Sequence, residues 1–193
     1  AHECAKPPIV LAIGNPPSSD SFGPHTTGPN FSGIDLLLND FRPERTERRK
    51  RQNTQKQVRN DFMKFLRWSA NKVLASDMGV LAMVLPSTFA LHPTYSHARR
   101  WLTQHFAEFW ILDIDSDLRT GVRSSSLFNT QQGRMMLVAT HTGRIPDSLT
   151  GRLHWASITE RSKSEKKQYL GQTRANNEFI NLFTQHDIAE TSK

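Results

Sequence analysis

Asn15, Pro16 and Pro17 are the residues whose types and order suggest chemistry. They follow the apolar run Ile9-Val10-Leu11-Ala12-Ile13 with only Gly14 between. The Asn15 side-chain oxygen accepts a hydrogen bond, and the Pro16 carbonyl offers a second acceptor. Two acceptors converging on one point suit an exocyclic amino group. Engaging both of its N–H bonds leaves the nitrogen lone pair free to attack an electrophile. Ser18 comes next in the chain, and Phe22 lies nearby.

Positioning such a pair is the work of the run before it. Five consecutive apolar residues predict a buried strand covered on both faces, as in a parallel sheet. Gly14 lets the backbone bend. Pro16 and Pro17 cannot donate ladder hydrogen bonds, so pairing ends there. Pro16 also pushes Asn15 into an extended conformation. Asn15 is thereby held at the carboxyl end of a strand, the edge where open α/β sheets bind ligands. The plain alternative is a buried strand followed by a rigid turn.

Residues 19–59 read as a long basic loop, with turn formers first and then a cationic run that includes Arg48, Arg49 and Arg51. A loop of this length in a compact domain is usually functional or disordered. The preferred reading of the run is a solvated, partly helical segment, because no aromatic residue is interleaved with the charges. The alternative is a track for phosphates beside the Asn15 turn. Ile34-Asp35-Leu36-Leu37-Leu38 reads as one short helical turn.

Asn60 caps the clearest helix, with Asp61 in its first turn. Phe62, Phe65, Leu66, Ser69, Val73 and Leu74 fall on one face at helical spacing. Residues 79–86 form a second buried strand, ended by Pro86. Ser87 and Thr88 then stand at the same sheet edge as Asn15, either touching a bound base or phosphate or capping the next segment. A helix over 94–106 and strands over 109–114 and 134–140 follow. No crossover helix separates the last two strands, so they are expected to be antiparallel neighbours. Residues 153–158 add an edge strand, and 160–170 and 176–183 read as short helices.

Composition bounds the partners. The 193 residues fit one domain, and a net charge of +7 favours polyanion partners, though many basic domains bind none. The single cysteine, Cys4, excludes an internal disulfide and suits a cytoplasmic location. No run is apolar enough to span a membrane, and the N-terminal residues do not read as a signal peptide. No metal site is expected. His2-Glu3-Cys4 lacks a recognisable ligand spacing. Asp113, Asp115 and Asp117 alternate like calcium ligands, but without the glycine and bidentate glutamate they read as a polar strand end.

The Asn-Pro-Pro turn resembles the Asn-Pro-Pro-aromatic signature of amino-group DNA methyltransferases, mainly the adenine-N6 class. Further pieces agree in order. Asn60-Asp61-Phe62-Met63-Lys64-Phe65 is similar to that family's Asp-Leu-Tyr-x-x-Phe helix. Residues 79–89 resemble its following strand and Pro/Asn-Ser-aromatic turn. Arg99-Arg100-Trp101-Leu102 with Phe106 resembles its Met-Arg-x-x-Leu…Phe helix. Ser126-Leu127-Phe128-Asn129-Thr130-Gln131-Gln132-Gly133 resembles its Val-Phe-x-Ile-x-x-Gly segment. The similarity covers roughly residues 8–170 and points to type IIG and single-polypeptide type I restriction–modification enzymes.

The resemblance implies an α/β fold, the second half of a class I (Rossmann-like) methyltransferase sheet with flanking helices and a terminal antiparallel strand. It implies a partial catalytic domain over 1–158 and a C-terminal helical extension over 159–193. It implies methyl transfer from S-adenosylmethionine to adenine N6 in DNA, with Asn15, Pro16, Pro17 and Ser18 as the catalytic turn. Phe22, Ser87, Thr88, Arg48, Arg49 and Arg51 are the further candidates for binding substrate. The chain departs from the family at Ser18, which has no stacking face where the family has an aromatic residue. The glycine-rich turn that holds the cofactor is missing, as are a nuclease motif and a target-recognition domain. The expectation is therefore a fragment that is inactive alone. The strand over 9–13 should be central in a complete sheet, so a second polypeptide or self-association is expected at its open edge. The rival expectation is a non-catalytic nucleic-acid- or partner-binding fragment of a degenerate methyltransferase.

Overall fold

A computed structural model of the chain describes residues 7–17, 33–42, 58–116, 126–128, 130–144, 152–172 and 184–186. Strand β1 (Ile9–Gly14) is followed by the short helix α1 (Gly33–Leu37), which tightens into a 3-10 turn over Leu38–Phe41. Helix α2 (Asp61–Leu74) leads into β2 (Met78–Pro86). The one-turn helix α3 (Thr88–Leu91) and helix α4 (Ser96–His105) come next. Strands β3 (Glu108–Asp115), β4 (Arg134–His141) and β5 (Leu153–Ser157) precede helix α5 (Lys163–Gln172) and the short strand β6 (Thr184–His186).

The strands form one six-stranded sheet in the order β1-β2-β4-β3-β5-β6. β1 pairs parallel with β2, and β3 parallel with β5. β4 lies antiparallel between β2 and β3, as the missing crossover helix predicts for β3 and β4. β6 pairs antiparallel with β5, so β5 is not the edge strand expected of residues 153–158. The stretch after 158 thus supplies both a helix and a strand. The helix expected over 176–183 lies outside the described residues.

One face of the sheet carries the main core. Leu81, Met83 and Leu85 of β2 sit in register with Ala139, Leu137 and Met135 of β4. These side chains pack with Phe62, Met63, Leu66, Ala70 and Val73 of α2, and with Ala98 and Leu102 of α4. Asn60 caps α2 as expected, its side chain accepting from the Phe62 N–H. Arg67 fixes the helix's rotation. Its guanidinium donates to Asp40 Oδ2 at 2.6 Å and to the Leu37 carbonyl at 3.1 Å, and it lies 4.1 Å over the Trp101 ring. That turns Phe65 outward, where it is 49% exposed, against the expectation that it faces the core.

The expectation of a strand over 9–13 covered on both faces also fails. Val10 and Ala12 pack toward the core, but Ile9, Leu11 and Ile13 are 64%, 61% and 74% exposed. Among the described residues β1 is an outer strand, with helices on one face of the sheet only at that end. An unbroken apolar run does not by itself distinguish one-sided from two-sided burial. A smaller cluster on the opposite face joins Leu112, Ile114, Ala156 and Ile158 to Tyr169 and Leu170 of α5.

Candidate functional site

The parallel strands β1, β2 and β3 end on the same edge of the sheet, and the candidate residues gather there. β1 stops at Gly14, opposite Met83 of β2. A Cβ at Gly14 would stand 2.9 Å from Met83 Sδ, so the chain passes close over the core as it leaves the strand. Asn15 then emerges exposed, Pro16 is buried behind it, and Pro17 is exposed again. Among the described residues nothing forms a hydrogen bond with the Asn15 amide.

β2 runs on past Met83 to Pro86, so Ser87 stands farther along the same direction, about 10 Å beyond Asn15 by strand rise. Ser87 and Thr88 are both half-buried. Ser87 is the N-cap residue of α3, as the capping alternative has it, but its side chain makes no capping hydrogen bond. Its backbone N–H donates to the Gly133 carbonyl at 3.0 Å, which ties the turn after β2 to the approach of β4. Ser18, Phe22, Arg48, Arg49 and Arg51 lie outside the described residues.

Strand β3 adds two carboxylates of different character. Asp113 lies in register with Met135 and Ser157, on the face that carries the main core. Its Oδ1 is buried and has no hydrogen-bond partner among the described residues. Burial, and then the neighbouring Asp115, push its carboxyl up to about 6, with Lys166 pulling the other way. A bulge follows: Asp115, not Ile114, pairs with Arg134. The extra residue re-aims Asp115 to the opposite face, toward α5. There it is fully buried and accepts from Lys166 Nζ at 2.9 Å, from Ser126 Oγ at 3.1 Å and from the Leu127 N–H at 3.0 Å.

Sequence reasoning missed this cluster. The alternation of Asp113, Asp115 and Asp117 reads in the sequence as a polar strand end rather than a calcium set, which gives no hint of the buried ion pair; Asp117 lies outside the described residues. The available signal was Ser162-x-x-Glu165, a capping box that starts α5 and places Lys166 in its first turn. Among the described residues no helix is long and apolar enough to cross a membrane.

No protein-family model and no curated protein matches the chain. Solved structures do. The ATP-dependent Type ISP restriction-modification enzyme LlaBIII bound to DNA superposes with a TM-score of 0.71 at 18% identity, covering 92% of this chain and 12% of that one. A nuclease-deletion mutant of the Type ISP restriction-modification enzyme LlaGI, in complex with a DNA substrate mimic, gives 0.70 at 14% identity, covering 96% and 18%. A DrdV-DNA complex gives 0.65 at 18% identity, covering 92% and 17%. At these identities the likeness is one of fold. The chain spans less than a fifth of the length of each of these proteins.

Proposed function

We propose that this chain is the base-binding part of a DNA methyltransferase acting on adenine N6 within a restriction–modification system. The observation that carries the reading is Asn15, exposed and uncommitted at the carboxyl end of β1, with Pro16 buried behind it on the edge that also holds Ser87. The sheet order supports it, because parallel β1, β2 and β3 with β4 inverted among them suit half of a Rossmann-like methyltransferase sheet. The DNA and restriction–modification enzymes named for the similar structures support it too.

In this reading a flipped-out adenine enters the mouth at an unstacking cost of a few kcal/mol. The Asn15 side-chain oxygen and the Pro16 carbonyl accept the two amino hydrogens. The bound nitrogen keeps its lone pair directed outward. Positioning supplies most of the rate. S-adenosylmethionine, the implied donor, supplies an electrophilic methyl group when bound. The described residues do not fit it: the space beside Gly14 at the end of β1 is filled by Met83, and prolines rather than glycines follow. In this reading the donor site lies outside the described residues, and a second polypeptide would supply it and cover Ile9, Leu11 and Ile13.

A second reading, a non-catalytic nucleic-acid- or partner-binding module, is favoured by that same exposed apolar face and by Ser18. Reconstitution separates the two. The chain alone should neither bind S-adenosylmethionine in calorimetry nor transfer a labelled methyl group to DNA. Adding a polypeptide that carries the glycine-rich turn should restore both. Binding of the partner without methylation of adenine would leave only the second reading.

A further inference from the structure

We propose that Lys166 is a positioning residue for the mouth of the candidate site, acting through Asp115 on residues 126–128 and 130–133 and on the Ser87 turn. The proposal rests on the base-binding reading of that mouth. A hydrogen-bonded run joins the two ends. The capping box, with Ser162 N–H to Glu165 Oε2 at 2.8 Å and Glu165 N–H to Ser162 Oγ at 3.3 Å, fixes the start of α5. The Lys166 N–H to Ser162 carbonyl bond at 2.9 Å then sets the lysine in the first turn. Lys166 Nζ donates to Asp115 Oδ1 at 2.9 Å, and Asp115 holds Ser126 Oγ and the Leu127 N–H. Ser126 Oγ accepts from the Thr130 N–H at 3.3 Å, and Thr130 Oγ1 donates to the Gln132 carbonyl at 2.9 Å. The next carbonyl, that of Gly133, accepts from the Ser87 N–H.

The chemistry explains why a buried lysine is needed. An ionised carboxylate is a pure acceptor, with about four lone-pair sites for the lysine and the segment together. Removing the cation leaves the fully buried Asp115 carboxylate without its charge partner, which is costly and loosens its hold on its other donors. A pair serving stability alone is replaceable by apolar residues of similar volume. A pair that also holds the segment is not, because Leu127 N–H needs an acceptor. Leu127 is meanwhile packed against the Leu112 and Ile158 cluster, so the segment shifts as a unit when its anchor is lost.

The test is amide hydrogen exchange on the full chain. Lys166→Met should raise exchange at Leu127, Thr130 and Ser87 by about tenfold or more, while Leu81 and Leu137 in the sheet interior stay protected. Lys166→Arg, which keeps the charge, should stay near wild type. The double variant Asp115→Leu/Lys166→Met should recover thermal stability but not protection at Leu127. Recovery of that protection in the double variant, or a uniform rise across the sheet in Lys166→Met, would overturn the proposal. In the reconstituted enzyme Lys166→Met should lower kcat and leave the KM for the methyl donor unchanged; an unchanged kcat would overturn the link to the site. Failure of the base-binding reading is seen separately: Asn15→Ala would then leave methylation intact whatever the exchange pattern shows.

Discussion

Gly79 of β2 lies so close to Val10 of β1 that a Cβ on the glycine would stand 2.5 Å from the Val10 carbonyl oxygen and 2.8 Å from Val73 Cγ1 of α2. The first of these atoms is backbone and cannot move without opening the β1–β2 ladder. Gly14 offers the contrast, since the nearest atom there is the flexible Met83 thioether. Gly79→Ala should therefore destabilise the chain by about 2–4 kcal/mol in urea denaturation, and Gly14→Ala by about 1 kcal/mol or less. Equal costs would show that β1 does not seat against β2 as described.

Asp113 makes stability depend on pH. Its folded carboxyl titrates near 6 against an ordinary 3.8, raised first by burial and then by Asp115. The folded chain thus holds more protons than the unfolded chain between those values. By linkage, this group's contribution falls as pH rises from about 4 to 6 and is then flat. Asp113→Asn should remove that slope and raise stability at pH 7–8 by roughly 1 kcal/mol. A stability curve unchanged by the substitution would contradict this placement of Asp113.

Arg152 closes the carboxyl end of α4. It is buried, and its guanidinium donates to the carbonyls of Thr103, Phe106 and Ala107. Thr103 lies in the last turn of α4, whose carbonyls lack an internal partner, and Phe106 and Ala107 carry the chain from that helix into β3. Arg152→Met keeps the bulk and removes the donors, and should cost about 2–4 kcal/mol by thermal unfolding. A loss below about 0.5 kcal/mol would mean that water serves those carbonyls equally well.

Ile9, Leu11 and Ile13 stand out of the sheet on its uncovered side. Leu11→Lys and Ile13→Lys should change the stability of the isolated chain by no more than about 0.5 kcal/mol. They should reduce its self-association in light scattering and abolish capture of a polypeptide that completes the sheet. A loss of several kcal/mol in the monomer would mean that these side chains are buried within the chain itself.

What was legible in the sequence follows from how local each signal is. Asn60 as a cap and Pro86 as a strand stop depend on a few adjacent atoms, and both are where expected. The antiparallel pairing of β3 and β4 followed from a missing helix, again a local feature. The one-sided burial of β1 depends on what packs across the sheet, and an apolar run reads alike in either case. Phe65 was misplaced because Arg67, a cation, takes a buried position through Asp40 and Trp101. The Asp115 cluster was hidden because a single bulge inverts the face that alternation assigns. At the candidate site, the edge shared by Asn15 and Ser87 was legible from two proline-ended strands, whereas the Lys166 link joins residues 51 positions apart.

The most direct measurement is methyl transfer to DNA by the reconstituted enzyme carrying Asn15→Ala, with donor binding followed in parallel. Removal of one of two acceptors on the amino group should lower the rate by about 100-fold or more while donor affinity holds. Methylation near the wild-type rate would contradict the account.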